Sequence, residues 1–194
     1  MLARLALPTV MLAQLALVAC GGDAPRDEDS AAAPPAASRD TVVTDSTAWV
    51  AYPERLGVIR TGMLRPTLID AVGQPTRFGY DSQERCTYIG GSALPDGVLV
   101  MVLDSAVARI DVTKPGVPTA EGIQVGDTEA AVLQRYGARA VVTPHKYTGP
   151  AGHYVTVTSP TDTLHRIVFE TDGTIVKSYR VGRMPEVTWV EGCS

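Results

Sequence analysis

The sequence predicts an α+β fold of two tandem modules, each a short helical unit packed on an antiparallel β-meander. Three observations lead there. Gly122-Ile-Gln-Val-Gly-Asp-Thr-Glu-Ala-Ala-Val-Leu-Gln-Arg-Tyr-Gly137 reads as turn, cap, short helix and stop. The same pattern stands earlier in the chain, without gaps. Ile59, Gly62, Leu68, Ile69, Val72 and Gly73 align with Ile123, Gly126, Val132, Leu133, Tyr136 and Gly137. Each helix then leads into hydrophobic runs that turn at Asp104-Ser105 in the first half and at Asp172-Gly173 in the second. A repeat of about sixty residues is longer than most solenoid units, so two copies of one helix-plus-hairpin module is the simpler reading.

The second helix is the better specified. Asp127 or Thr128 can accept from the unpaired N–H groups of a first turn. Glu129 sits where the helix dipole favours negative charge. Ala130, Ala131, Leu133 and Gln134 favour helix. Val132, Leu133 and Tyr136 form one apolar face, and Gly137 suits a left-handed stop. In the first copy Pro66 falls at an early helical position, where its missing N–H costs nothing. Arg65 and Pro66 stand there in place of a polar capping stretch and leave that helix's length open.

From the N-terminus, residues 1–19 carry one charge, Arg4, and an apolar run too short to anchor in a bilayer but suited to a secretory signal. Leu17-Val18-Ala19-Cys20 resembles the bacterial lipobox. The resemblance implies cleavage before Cys20 and lipidation of its thiol. Gly21, where aspartate would favour retention at the inner membrane, implies a periplasm-facing outer-membrane lipoprotein. Residues 20–48 are rich in Ala, Pro, Asp and Ser. They have too little to bury to offset the ordering entropy, so they read as a disordered tether. A short strand at Thr41-Val42-Val43-Thr44 is a weaker alternative within it.

Residues 49–118 form the expected first module. Trp49, Val50 and Tyr52 open it, and Phe78-Gly79-Tyr80 is a strand or a loop. Arg85–Ile89 is a strand by its β-branched and aromatic content. Val98–Leu103 is six apolar residues in a row, which suits a central strand covered on both faces. Val107–Val112 returns from it. Residues 119–194 form the second module. Ala140–Thr143 is a strand candidate, and residues 144–152 are a long exposed loop. Tyr154–Thr158 alternates, and Leu164–Glu170 with Thr174–Arg180 forms a hairpin about Asp172-Gly173. Val187–Val190 is expected as a last strand.

The two cysteines of the body, Cys86 and Cys193, read as a disulfide in an oxidising compartment, with two buried free thiols as the alternative. Net charge is −4, with Lys and Arg scattered rather than striped, which argues against nucleic-acid binding.

The order of Ile-x-x-Gly, a short helix, Gly and a β-meander resembles the small outer-membrane-assembly lipoproteins of the SmpA/OmlA (BamE) type. Tandemly repeated, it also resembles the β-lactamase inhibitor protein fold. The resemblance spans residues 57–112 and 122–181. It implies helix-on-sheet modules that act by binding other proteins, and it carries over no partner.

The sequence offers little catalytic chemistry. His145, His153 and His165 lack the companions of a zinc set, and read as exposed loop histidines, with His145 and His153 close enough to approach each other. Gly91-Ser92 has no nucleophile-elbow context, and no phosphate loop is present. Asp104, Glu170 and Asp172 read as turn carboxylates. No catalytic, metal or cofactor residue is expected. The loop holding His145, Lys146 and Tyr147 and bordered by His153 is the candidate recognition element, with a plain connection as its alternative. The leading expectation is a non-enzymatic, lipid-anchored module that binds an envelope protein. The alternative is a small-ligand or glycan binder or hydrolase with a site between the modules, which requires a cleft lined by converging polar groups.

Overall fold

The computed structural model describes residues 49–80 and 85–193. The signal segment, Cys20, the tether and the candidate strand at Thr41–Thr44 lie outside the described residues.

The chain opens with three two-residue strands, β1 (Ala51–Tyr52), β2 (Arg55–Leu56) and β3 (Ile59–Arg60), which form a small antiparallel sheet. Next come α1 (Arg65–Val72), β4 (Pro75–Tyr80), β5 (Cys86–Gly91), β6 (Val98–Leu103) and β7 (Ala106–Val112). The second half repeats the order: α2 (Glu129–Tyr136), a 3₁₀ turn (Gly137–Arg139), then β8 (Ala140–Pro144), β9 (His153–Thr158), β10 (His165–Thr171) and β11 (Val176–Arg183). All eight longer strands join one antiparallel sheet in the order β4-β5-β6-β7-β11-β10-β9-β8. Two four-stranded meanders thus meet at β7 and β11, where Ile110 pairs with Val181. The architecture is a mixed α/β fold dominated by antiparallel sheet, with two helices.

One core serves both halves. Leu68 and Val72 of α1, and Val132 and Tyr136 of α2, pack on Val98, Val100, Ile110, Val155, Ile167, Phe169 and Tyr179 of the sheet. The rings of Tyr136, Phe169 and Tyr179 pack in a tilted series, with centroids 5.7 and 5.6 Å apart. Fully buried aromatic rings of this size dominate a core's apolar area. The opposite face of β6 and its neighbours buries Cys86, Met101 and Ala108. The six-residue apolar run is therefore central and covered on both sides, as its composition predicts.

The entrances to the two helices repeat bond for bond. Gly62 N–H donates to Val107 C=O at 2.7 Å, and Gly126 N–H donates to Val176 C=O at 2.9 Å. Val107 donates back to Met63, and Val176 to Asp127. Arg65 donates to Ser105, and Glu129 to Thr174. The same interval separates Gly62 from Gly126, Met63 from Asp127 and Arg65 from Glu129, and both helices are eight residues long. Gly62 and Gly126 adopt φ of +80° and +97°, a region in which a side chain is strained. α1 is no shorter than α2, so Pro66 does not truncate it.

Both edges of the large sheet carry a proline where it blunts further pairing. His145 N–H bonds Gly152 C=O, which sets alternate residues of β8 toward β9 and turns Pro144 outward. Ser92 N–H bonds Gln74 C=O, which likewise turns Pro75 of β4 outward. A proline at an outward position removes the donor an added strand would use.

The expected last strand at Val187–Val190 is not formed. Glu186–Thr188 is a 3₁₀ turn, and the C-terminal segment crosses the sheet face instead of joining it. The cause is a pair of arginines that bind its carbonyls. Among the described residues no helix is long and apolar enough to cross a membrane.

Candidate functional site

The sheet face opposite the helices holds the densest polar chemistry. Arg109 of β7 is buried, with Nε 2.9 Å from the Asp111 carboxylate. Its Nη1 donates to the carbonyls of Glu186 (3.1 Å) and Trp189 (2.6 Å), and its Nη2 to the Tyr88 hydroxyl. Arg180 of β11, also buried, donates from Nε to Val187 C=O at 2.6 Å and from Nη1 to Glu170. The residue 184–193 segment is thus a strap bolted by two guanidiniums through its own backbone. Its end is fixed by the Cys86–Cys193 disulfide, with Cα atoms 5.3 Å apart. Burial pushes the Tyr88 hydroxyl up to about 12, with the Asp111 charge adding to the rise. Burial also lifts the Asp111 carboxyl against the pull of Arg109. Buried charges persist only when paired, and here the strap's carbonyls complete the pairing.

The candidate recognition loop sits against this strap. Lys146 Nζ lies 2.8 Å from Glu191, and the Tyr147 hydroxyl donates to the same carboxylate. Those two bonds hold the Glu191 carboxyl below the usual carboxylate range. Tyr147 stays 61% exposed. Lys146, Trp189, Val190, Glu191 and Gly192 line an open groove of about 430 Å³ beside it.

The histidines correct the expectation of exposed loop residues. All three are partly buried and each faces a carboxylate. His145 stacks on Tyr154 with centroids 4.4 Å apart. The Tyr147 and Thr148 N–H groups both donate to its Nδ1. His153 belongs to β9, not to the loop, and meets Glu129 of α2 at 2.9 Å. Neighbours on a strand point to opposite faces. His145, stacked on Tyr154, and His153 are therefore sent to opposite sides of the sheet and do not approach each other. Glu170 is likewise no turn residue: it lies within β10 and pairs with Arg180. Asp104 does sit in the turn between β6 and β7, with φ of +47°, and its carboxylate pairs with Arg85 at 2.8 Å. Asp172 does act in its turn, accepting from Thr174 and Ile175.

The third histidine makes an arrangement that the sequence does not show. His165 Nδ1 is 3.0 Å from Asp162, and its Nε2 is 2.8 Å from the Thr61 hydroxyl. Asp162 and His165 are three residues apart, but Thr61 lies 104 residues from His165 and meets it because β10 begins beside the small sheet. Spacing alone carries no signal for such a contact.

No family model matches the chain, and no curated protein matches it. Its fold is similar to the crystal structure of the uncharacterized protein yfeY from Escherichia coli, at 12% identity and a TM-score of 0.43, over 70% of this chain and 98% of that one.

Proposed function

We propose that this chain is a lipid-anchored, periplasm-facing protein of the outer membrane whose two modules, residues 49–118 and 119–194, are copies of one helix-plus-meander unit, and that it acts by binding another envelope protein. The observation that carries the binding reading is Tyr147, which is mostly exposed yet tied through its hydroxyl to Glu191 of the disulfide-fixed strap. An exposed aromatic that is already held loses little freedom on docking. The repeated hydrogen bonds at Gly62 and Gly126 support the duplication. They also fit the resemblance to SmpA/OmlA-type and β-lactamase-inhibitor-type modules, which act by binding. The blunted edges favour contact through the loop and strap over strand addition.

Site-specific photo-crosslinking tests it. A crosslinker at Tyr147 should trap one envelope protein in intact cells, while one at exposed Thr67 on α1 traps none. Cys20→Ser should move the protein to the soluble fraction and abolish the crosslink. Equal, diffuse crosslinking from both positions would overturn the binding site. Unchanged membrane fractionation of Cys20→Ser would overturn the anchor.

A further inference from the structure

The geometry points to a nucleophilic hydroxyl at Thr61: Asp162, His165 and Thr61 form a carboxylate–imidazole–hydroxyl relay that takes the acyl group of a small ester and passes it to water. The site is separate from Tyr147 and the strap, and stands or falls without the docking reading.

The relay has the two contacts such chemistry needs, from nucleophile to base and from base to orienting group. The Thr61 hydroxyl lies 2.8 Å from His165 Nε2. His165 Nδ1 lies 3.0 and 3.1 Å from the two Asp162 oxygens. Asp162 is itself fixed, because Oδ1 accepts the backbone N–H of Leu164 at 2.7 Å and of His165 at 2.8 Å. Those bonds and the imidazole outweigh its partial burial and hold the carboxyl below its ordinary range. A carboxylate on Nδ1 selects the tautomer with its proton there and leaves Nε2 free to accept the hydroxyl proton. Thr61 is placed by its own N–H, which donates to Glu54 C=O at 3.0 Å. Its hydroxyl also lies 3.4 Å from that carbonyl, a long contact beside the imidazole one. Thr61 and His165 are both partly exposed.

Charge on the ester oxygen would not be met by local backbone donors. Gly62 and Met63 N–H already bond Val107 and Arg60. Arg60 and Arg166 flank Thr61 and His165 in sequence, and neither has an acidic partner among the described residues. Arg166 follows His165 on β10 and is sent to the opposite face, which leaves Arg60, next to Thr61 in the chain, as the cation for that charge.

In the first step the Thr61 oxygen bonds the carbonyl carbon as His165 Nε2 takes the hydroxyl proton. The bond to the alkoxy group then breaks, and that proton leaves with it as an alcohol. In the second step His165 takes a proton from water, whose oxygen attacks the acyl-threonine. The carbon–Oγ bond breaks, the proton returns to Thr61, and a carboxylic acid departs.

Diisopropyl fluorophosphate tests the relay on the full chain. Attack forms an Oγ–phosphorus bond and expels fluoride with the proton. Mass spectrometry should find one diisopropylphosphoryl group, on the peptide holding Thr61. Thr61→Ala should carry none, Thr61→Ser should label faster, and His165→Gln should slow labelling at least about a hundredfold. Hydrolysis of 4-nitrophenyl acetate should follow the same order. No adduct on either wild type or Thr61→Ser would overturn the proposal, as would an adduct that persists in Thr61→Ala. Undiminished labelling in a folded His165→Gln protein, with its circular dichroism unchanged, would overturn it too.

Discussion

Gly126 donates its N–H to the carbonyl of Val176 at 2.9 Å, across the gap between a helix entrance and the first residue of β11. Gly62 does the same to Val107 at 2.7 Å. In both places the glycine has positive φ, and a Cβ would meet nothing within 4 Å. Substitution therefore tests backbone strain alone. Gly62→Ala and Gly126→Ala should each cost about 1–2 kcal/mol, read as the fall in urea midpoint. Costs that differ severalfold would mean that the two entrances are not equivalent.

Arg109 should be the most costly single polar residue to truncate. Arg109→Ala removes the partner of Asp111 and the donors to the Glu186 and Trp189 carbonyls together. Loss of one side of a buried pair costs about 3–5 kcal/mol. The measurement is equilibrium denaturation, paired with hydrogen exchange of the strap. The strap should exchange first.

The disulfide closes a loop with a sequence separation of 107. Cys86→Ser and Cys193→Ser should each lower stability by about 2–5 kcal/mol, and reductant should lower wild type toward the same value. Wild type that is indifferent to reductant, with two thiols titrating after denaturation, would mean the bond is absent.

Alkaline pH should destabilise the fold through its buried phenols. Burial lifts Tyr88 to about 12 and lifts Tyr136 and Tyr179 as well. In the unfolded chain a tyrosine ionises near about 10. Above that pH the unfolded state holds fewer protons than the folded one, so stability falls as pH rises toward 12. Absorbance at 295 nm at pH 11 should show incomplete tyrosinate in the native protein and near-complete tyrosinate in urea. Equal absorbance in both would contradict the burial of these rings.

The elements with a strong local signal were legible in the sequence. Thr128 caps α2, with its hydroxyl accepting from Ala131 N–H. The Val98–Leu103 run is a central strand and Val155 and Val157 face the core, as their patterns require. The disulfide follows from two cysteines in one body. What escaped depends on long-range contact. The β1–β3 sheet has strands of two residues, too short for any periodicity. Val187–Val190 reads as a strand by composition, but Arg109 and Arg180 draw its carbonyls across the sheet. His153 looks like part of a loop until Glu129 is brought beside it from a different element. The Thr61–His165 contact joins residues 104 apart and leaves no local trace.

An experimentally determined structure, with residues 62–112 superposed on 126–181, tests the duplication most directly. The account predicts that α1 falls on α2 and β4–β7 fall on β8–β11 in order, with Gly62 and Gly126 donating to Val107 and Val176 at matching places. Helices that enter over non-equivalent strands, or glycines bonded to unrelated carbonyls, would contradict it.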